Sequence, residues 1–188
     1  GRGPRLTVIR RLARPFTVEL FRHSKGRRVV DRRVARFRGR SKTVILPRRA
    51  APGFYFARIR MVLPGTDDVR RVALRRRGGR WFVRPDHYLR NTCAALKAFK
   101  LERTVFGGRR DVPLRIAYRL ATGADSVTLE VLRGRRVLRT MTGSTAVERA
   151  HRFSVPASIA RRGADVEVRI SVRRARAVQR ETLTARRL

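Results

Sequence analysis

The chain has 188 residues, of which 49 are Lys or Arg and 13 are Asp or Glu, so its formal net charge is +36. Its apolar content of 42% is that of a folded protein and argues against a disordered chain. The single cysteine, Cys93, excludes an intrachain disulfide and a cysteine-based metal site. We find neither a signal-peptide pattern nor an apolar run that approaches the roughly 20 residues of a transmembrane segment.

The charge has two interpretations. Only four of the basic residues are Lys, and codon usage in a GC-rich genome would explain this excess of Arg. Codon usage does not explain why acids are scarce. Because a field of this size attracts counter-charge, we expect a polyanion partner: nucleic acid, an acidic cell-wall polymer or a membrane surface. No nucleic-acid recognition motif accompanies the charge.

Strict alternation of apolar and polar residues predicts β-strands along both halves of the chain. The clearest segments are residues 16–20, 55–63, 114–120, 127–131 and 166–172. Each puts aliphatic or aromatic residues on one face and charged or polar ones on the other. Gly-, Pro- and Asp-containing turns separate them. The pattern predicts an all-β chain built as antiparallel sandwiches.

The segment between the two halves follows a different pattern. We predict that Pro85 and Asp86 cap a short helical turn through Tyr88 and Leu89, and that residues 91–96 form another turn of helix. Residues 99–105 alternate like a strand. We therefore expect an ordered linker over residues 81–108.

The two halves repeat one another. Segments of similar pattern recur in the same order at offsets of 108 to 111 residues, which indicates an internal duplication of one module. The corresponding segments are 4–9 with 113–118, 17–21 with 128–132, 26–30 with 134–138, 44–47 with 152–156, and 56–61 with 167–172.

The repeated segments also resemble a known family. Residues 114–120, 126–132 and 134–139, together with Ala51-Pro52-Gly53-Phe54-Tyr55-Phe56-Ala57-Arg58-Ile59, are similar to bacterial immunoglobulin-like modules related to flagellar hook-capping and fibronectin type III domains. The second copy has residues 162–168 where the first has its Pro-Gly element. The resemblance covers about residues 4–77 and 113–188, and it implies two tandem Ig-like β-sandwich domains and display outside the cell. We place the modules at residues 1–80 and 109–188.

Catalytic and metal-binding patterns are weak. Asp86, His87 and Cys93 form the one candidate metal cluster, which we interpret as a surface turn. Thr66-Asp67-Asp68 fits a plain turn better than a calcium loop. Glu19 and Glu130 occupy equivalent outward positions, which suits salt bridges to neighbouring Arg better than a glycosidase pair in one cleft. We predict no enzyme activity, cofactor or metal.

Candidate binding residues divide into two sets. The candidate interface residues are Phe54, Phe56, Trp81, Glu19 and Glu130. The candidate polyanion contacts are Arg75, Arg76, Arg77, Arg135, Arg136, Arg173 and Arg174.

Three functions are compatible with these features. The leading hypothesis is a non-catalytic secreted or cell-surface structural protein that forms homo-oligomers or filaments through strand edges and Arg-rich surfaces. A ribosomal-type or other nucleic-acid-binding protein would explain the charge directly. A cell-wall or carbohydrate-binding appendage of an enzyme would use the same module.

Overall fold

The computed structural model describes residues 4–8, 14–90, 94–147 and 149–188. The described chain divides into two compact units. The first ends at Arg84, and the second runs from Pro85 to Leu188 with residues 27–29 grouped with it. Residues 81–84 of the predicted linker therefore belong to the first unit and residues 85–108 to the second.

The chain is all-β, as the alternation predicted. Its helical content among the described residues is two short 3₁₀ turns, Gly108–Arg110 and Ala157–Ile159, and none of the described helices could cross a membrane. The strands of the first unit are β1 Arg5–Thr7, β2 Phe16–Lys25, β3 Arg28–Arg40 (apart from its first two residues, which are grouped with the second unit), β4 Thr43–Ile45, β5 Gly53–Leu63, β6 Thr66–Arg77 and β7 Arg80–Val83. Those of the second are β8 Tyr88–Arg90, β9 Leu96–Leu101, β10 Val105–Phe106, β11 Leu114–Leu120, β12 Ser126–Arg133, β13 Arg136–Gly143, β14 His151–Val155, β15 Asp165–Arg174 and β16 Ala177–Arg187.

The first unit is a five-stranded sheet, in the order β3-β2-β5-β6-β7, covered by the antiparallel pair β1-β4. One face of the large sheet supplies the core, because alternate residues of a strand point to the same side. Phe16, Val18 and Leu20 of β2 pack there with Tyr55 and the following alternate residues of β5. Val44 and Leu46, in and just after β4, close the core from the other side.

The second unit has two sheets over one core. Their strand orders are β10-β16-β15-β12-β13 and β14-β11-β9-β8. The pairs within them are antiparallel apart from β10 with β16, which is parallel. Residues of both sheets, such as Ile116 and Tyr118 of β11 and Val127 and Val131 of β12, meet in a single buried cluster. This is the arrangement of a β-sandwich.

The two units share one strand plan. The order β3-β2-β5-β6 in the first matches β13-β12-β15-β16 in the second, and the pair β1-β4 matches β11-β14. The cross-strand registers also correspond: Glu19 lies opposite Arg58, and Glu130 lies opposite Arg169. The segments that repeat in the sequence therefore occupy equivalent strands, as an internal duplication predicts.

The prediction of a helical turn through Tyr88 and Leu89 is wrong. Residues 88–90 form strand β8, which pairs with β9 by placing Tyr88 opposite Lys100 and Leu89 opposite Phe99. Pairing with a distant strand overrides the local capping signal of Pro85 and Asp86. The second predicted helical turn, at residues 91–96, lies partly outside the described residues, and Leu96 begins β9.

Candidate functional site

The outward face of the first unit's large sheet carries a group of arginines and aromatic rings. Side chains at alternate positions of β2, β5 and β6 point away from the core, which places Phe21, Phe56 and Arg58 on this face together with the buried carboxylate of Glu19. We call it the arginine–aromatic face. It brings together three of the five predicted interface residues: Glu19, Phe54 and Phe56.

Glu19 is the centre of an ion-pair cluster. Its Oε1 accepts a hydrogen bond from Arg33 Nη1 at 2.6 Å, and its Oε2 accepts bonds from Arg58 Nη2 at 2.5 Å and Nε at 3.0 Å. Arg36 Nε lies 3.8 Å from the same carboxylate. Burial alone would raise the pKa of Glu19, but the hydrogen bonds and charges of Arg58 and Arg33 outweigh it, so the pKa lies below its usual value.

A stack of rings lies beside this cluster. Phe21 and Phe56 stack with centroids 4.8 Å apart and ring planes 7° from parallel. The guanidinium of Arg58 lies 5.0 Å from the Phe21 centroid, and that of Arg71 lies 5.3 Å from the Phe56 centroid. Each pair has cation–π geometry. Arg58 therefore has two partners, the Glu19 carboxylate and the Phe21 ring, which together fix its position.

Phe54, on the same face of β5, also has arginine guanidinium groups next to its ring. The guanidinium of Arg75 lies 5.1 Å from its centroid, and that of Arg84 lies 6.0 Å away. Phe54 and Phe56 are both buried, so their rings serve as supports for arginines. The groups that lie over these two rings are the guanidinium groups of Arg71, Arg75 and Arg84.

The neighbouring strand β3 adds charge at the edge of the same sheet. Among the described strands, β3 is an edge strand of this sheet. Its thirteen residues include one acid, Asp31. Ala35 and Phe37 pack against the core and anchor it. Its six arginines are all exposed: Arg28, Arg32, Arg33, Arg36, Arg38 and Arg40.

The predicted contact run Arg75, Arg76 and Arg77 does not act as one patch. The three residues end strand β6, so alternation separates them: Arg75 lies over Phe54, and Arg77 is exposed. Arg76 is buried. It points to the core side, where its guanidinium lies 5.5 Å from the Trp81 ring.

Arg76 has a structural role in this position. Its Nε donates to Ala50 O at 2.5 Å, its Nη1 donates to Gly79 O at 2.7 Å, and its Nη2 donates to Arg48 O. Three backbone carbonyls are thereby satisfied by one side chain, which ties the loop after β4 to the β6–β7 turn. Such a group is not available to a polyanion.

The predicted contacts of the second unit lie at opposite ends of one sheet. Arg135 and Arg136 are at the β12–β13 turn, whereas Arg173 and Arg174 end β15. Arg173 lies opposite Ser126, at the start of β12. All four arginines are exposed, so they spread charge over this unit without forming one site.

The two remaining predicted interface residues lie elsewhere. Trp81 packs edge-on against Tyr55, with centroids 4.9 Å apart and planes at 66°, and its Nε1 donates to Pro47 O at 3.3 Å. It therefore belongs to the core side of the sheet. Glu130 pairs with Arg169 at 3.5 Å. Both Glu19 and Glu130 thus form the salt bridges to neighbouring arginines that their outward positions predicted.

The candidate metal ligands do not converge. Among the described residues no group of three or more His, Cys, Asp or Glu side chains could hold a metal ion, and Cys93 lies outside those residues. His87 is buried, not on the surface turn that we predicted.

The acidic pair of the candidate calcium loop is engaged by arginines. Asp67 pairs with Arg60 Nη2 at 2.6 Å, and Asp68 lies 3.4 Å from Arg70 Nε. Both carboxylates lie on the β5–β6 hairpin. The Arg60–Asp67 pair links β5 to β6, whereas Arg70 and Asp68 lie on the same strand.

Sequence reasoning missed most of the arginines on this face. Arg33, Arg36, Arg58, Arg71 and Arg84 stand out only once the strands are paired, because each meets its partner across the sheet or along the neighbouring strand. Alternation could not indicate which residue of β2 would lie opposite Arg58.

Comparison with known proteins does not assign the chain to a family. No protein-family model matches the chain, and none of the curated proteins matches it. Any functional assignment therefore rests on the geometry of the two units.

Proposed function

We propose that this chain is a non-catalytic structural protein made of two tandem immunoglobulin-like modules that binds linear polyanions through the arginine–aromatic face and strand β3. The observation that carries the proposal is the row of five exposed arginines in the first unit's part of one edge strand, Arg32, Arg33, Arg36, Arg38 and Arg40, next to guanidinium groups held on aromatic rings.

The strand order supports the Ig-like assignment. In such sandwiches strands A, B and E share one sheet, and strands C, F and G share the other, with C′ beside C in some members. In the second unit, β9, β11 and β14 would be A, B and E, and β13, β12, β15 and β16 would be C′, C, F and G. The first unit has the counterparts of B and E in β1 and β4, and those of C′, C, F and G in β3, β2, β5 and β6.

A tyrosine near the start of β5 supports the same assignment. Many Ig-like domains have a tyrosine corner, in which a Tyr near the start of strand F bonds back to the backbone a few residues upstream. Tyr55 Oη donates to Ala51 O at 2.6 Å. Burial raises the pKa of the Tyr55 hydroxyl, and the charges of Arg22 and Arg76 oppose that shift. Val166 stands at the corresponding core position of β15, so the second unit departs from this feature.

The exposed edge of β3 is better suited to binding a linear polyanion than to pairing with a strand of another molecule. Edge strands that carry many charges resist pairing with a second copy, because like charges would be brought about 5 Å apart. Strand β3 has thirteen residues, with Gly39 in a left-handed conformation (φ +60°) near its end. The eleven residues before Gly39 span about 35 Å, a length along which a chain of phosphates, sulfates or carboxylates can pair repeatedly with arginine. Bidentate hydrogen bonds make arginine well suited to such groups.

The test compares two variants with the same loss of charge. R32Q/R38Q/R40Q removes three exposed arginines from β3, and R135Q/R136Q/R139Q removes three exposed arginines from the β12–β13 hairpin. Binding to single-stranded poly(U) RNA, heparin and polyphosphate is measured over a range of salt concentrations. We expect the β3 variant to lose far more affinity and to lower the RNA salt slope by about 2. Equal losses in the two variants would show that binding reflects overall charge and would overturn the proposed site.

The choice of polymer identifies the partner class. Preference for RNA over polyphosphate at equal charge would favour the nucleic-acid-binding alternative. Preference for heparin would favour a carbohydrate or cell-wall polymer. Display outside the cell enters the proposal through the family resemblance alone, and protease treatment of intact producing cells tests it, since an internal protein would survive.

Self-assembly is a second candidate function. It is favoured by strand β7, at the edge of the first unit's five-stranded sheet opposite β3. Strand β7 stands at that edge among the described strands, and its Phe82 and Val83 are 48% and 72% exposed. Exposed apolar residues on an edge strand promote pairing with another copy. Negative-stain microscopy of nuclease-treated protein should then show polymers that V83R abolishes. Dispersed particles in the unsubstituted protein would rule this candidate out.

A further inference from the structure

The second unit has a depression on the outward face of its smaller sheet. The depression has a volume of about 430 Å³ and is lined by residues of β9, β11 and β14 and by Glu102, which follows β9. It shares no residue with the arginine–aromatic face, and none of the predicted polyanion contacts lines it.

The register of three strands builds this depression. Ala117 of β11 lies opposite Lys100 of β9 on one side and opposite Arg152 of β14 on the other. Neighbouring strands are about 4.8 Å apart, so the two cationic residues stand about 10 Å apart across the sheet. Because Ala117 has only a methyl group, it leaves a gap between two long basic side chains. Ala117 itself is buried and forms the floor.

A second row of outward residues flanks the first. Arg115 lies opposite Ser154 of β14, and its backbone carbonyl accepts a hydrogen bond from Glu102 N at 3.0 Å. The guanidinium of Arg115 lies 3.3 Å from Glu102 Oε2, and Arg103 Nη1 lies 3.1 Å from Glu102 Oε1. The carboxylate of Glu102 is therefore engaged by two arginines and orients Arg115.

The chemistry of the lining selects an anion. Lys100, Arg115 and Arg152 are three cations around the floor, and Glu102 is the single acid among the lining residues. Ser154 is exposed and its hydroxyl can donate a further hydrogen bond. An oxyanion centred above Ala117 would lie between Lys100 on one side and Arg152 on the other, so it could contact both cations at once.

We propose that this depression binds one tetrahedral oxyanion, a phosphate or a sulfate. Such a group offers several acceptor oxygens in different directions, which suits basic residues that line the depression from three strands. Arg152 would engage it through parallel N–H donors, and Lys100 would act as a point charge on the opposite side. The site is independent of the proposed function, because it uses neither β3 nor the arginine–aromatic face.

Inorganic phosphate is the probe that tests the site, with chloride at equal ionic strength as its control. Titration followed by ¹⁵N-resolved NMR should give saturable shifts of the Ala117 and Ser154 amides with one common dissociation constant. R152Q removes a cation at an exposed position, and A117L fills the gap without changing the charge. R152Q should weaken binding at least about tenfold, the effect of losing a charge-assisted hydrogen bond. A117L should weaken it at least as much, because its side chain occupies the space of the anion.

Two controls separate this site from the overall charge. R173Q removes one exposed arginine of the same unit from the other sheet and should leave the phosphate affinity unchanged. The β3 variant R32Q/R38Q/R40Q should also keep it, even if that variant no longer binds polymers. Shifts that rise linearly with concentration, that chloride reproduces, or that survive in both A117L and R152Q would overturn the proposal.

Discussion

At the scale of single residues, Glu19 and Glu130 show how equivalent positions acquire different roles. Both pair across the sheet with an arginine. Only 8% of the Glu19 side chain is exposed, against 27% for Glu130, and Glu19 has Arg33 as a further partner. A buried carboxylate with several charge-assisted hydrogen bonds contributes more to folding than an exposed pair does.

We therefore expect E19Q to lower the free energy of unfolding at pH 7 by about 1 to 2 kcal/mol, because the arginines lose their charged acceptor. E130Q, the matched control, should lower it by less than about 1 kcal/mol. Urea unfolding of both variants measures the difference. Equal effects would mean that the Glu19 cluster adds nothing beyond a surface salt bridge.

The lowered pKa of Glu19, in which the arginine interactions outweigh burial, gives this contribution a defined pH dependence. A carboxyl whose folded pKa lies below its unfolded value stabilises the fold above the unfolded value, about 4.3 for Glu. That stabilisation disappears as the pH falls through the folded pKa. Unfolding midpoints between about pH 5 and pH 2 should therefore fall more steeply for the unsubstituted protein than for E19Q. Parallel curves would contradict the assigned ion pairs.

Arg76 gives a second prediction at this scale. R76K should lower the free energy of unfolding by about 2 to 3 kcal/mol, because a single ammonium cannot reach all three carbonyls that the guanidinium serves. R77K, at the next and exposed position, should change it by less than about 0.5 kcal/mol. Denaturant unfolding measures both. A tolerant R76K would mean that water replaces the lost hydrogen bonds without cost.

At the scale of strands, Gly53 determines how β5 begins. Its φ is +151°, and a Cβ at this position would lie 2.9 Å from both Ser24 O and Ser24 Oγ. Ser24 Oγ accepts a hydrogen bond from Phe54 N at 2.8 Å, so an added methyl group would separate the ends of β2 and β5. Gly65, in the β5–β6 turn, has φ +73° but open space around its Cβ position.

G53A should therefore destabilise the first unit by about 3 kcal/mol or more, from steric overlap added to backbone strain. G65A should cost about 1 to 2 kcal/mol, from strain alone. Thermal unfolding of both variants distinguishes the two cases. A smaller loss in G53A than in G65A would contradict the close approach of β5 to Ser24.

Strands were also the level at which sequence reasoning succeeded best. Alternation predicted β5, β11, β12 and β15, because alternate apolar residues of each strand face the core, and the repeat predicted that the two units share a strand plan. It failed at residues 88–90, where pairing with β9 decides the structure. It also treated Arg75, Arg76 and Arg77 as one patch, although a continued strand sends Arg76 to the same side as Leu74.

The candidate site was less predictable than the fold for a physical reason. The Glu19 cluster, the ring stack and the depression around Ala117 all depend on which residues of different strands lie opposite one another. Register of this kind is set by the whole sheet, and a slip of one residue would move every side chain to the other face. A single sequence does not specify it.

At the scale of the whole molecule, the net charge of +36 must oppose folding. Compacting so many like charges raises their mutual repulsion, and salt screens it over about 10 Å at 0.1 M and about 3 Å at 1 M. Several of the few carboxylates already engage arginines, so repulsion among the remaining arginines dominates. Folding should therefore become more favourable as ionic strength rises.

We expect the thermal unfolding midpoint to rise between about 10 mM and 0.5 M sodium chloride, and to rise less in R32Q/R38Q/R40Q, where three neighbouring charges are gone. Sodium sulfate separates screening from binding. Stabilisation that saturates at millimolar sulfate reports a bound anion, because a ligand of the folded state stabilises by mass action. R152Q should remove that saturable part and leave the screening part. A midpoint that falls with salt would mean that ion pairs such as those of Glu19 outweigh the repulsion.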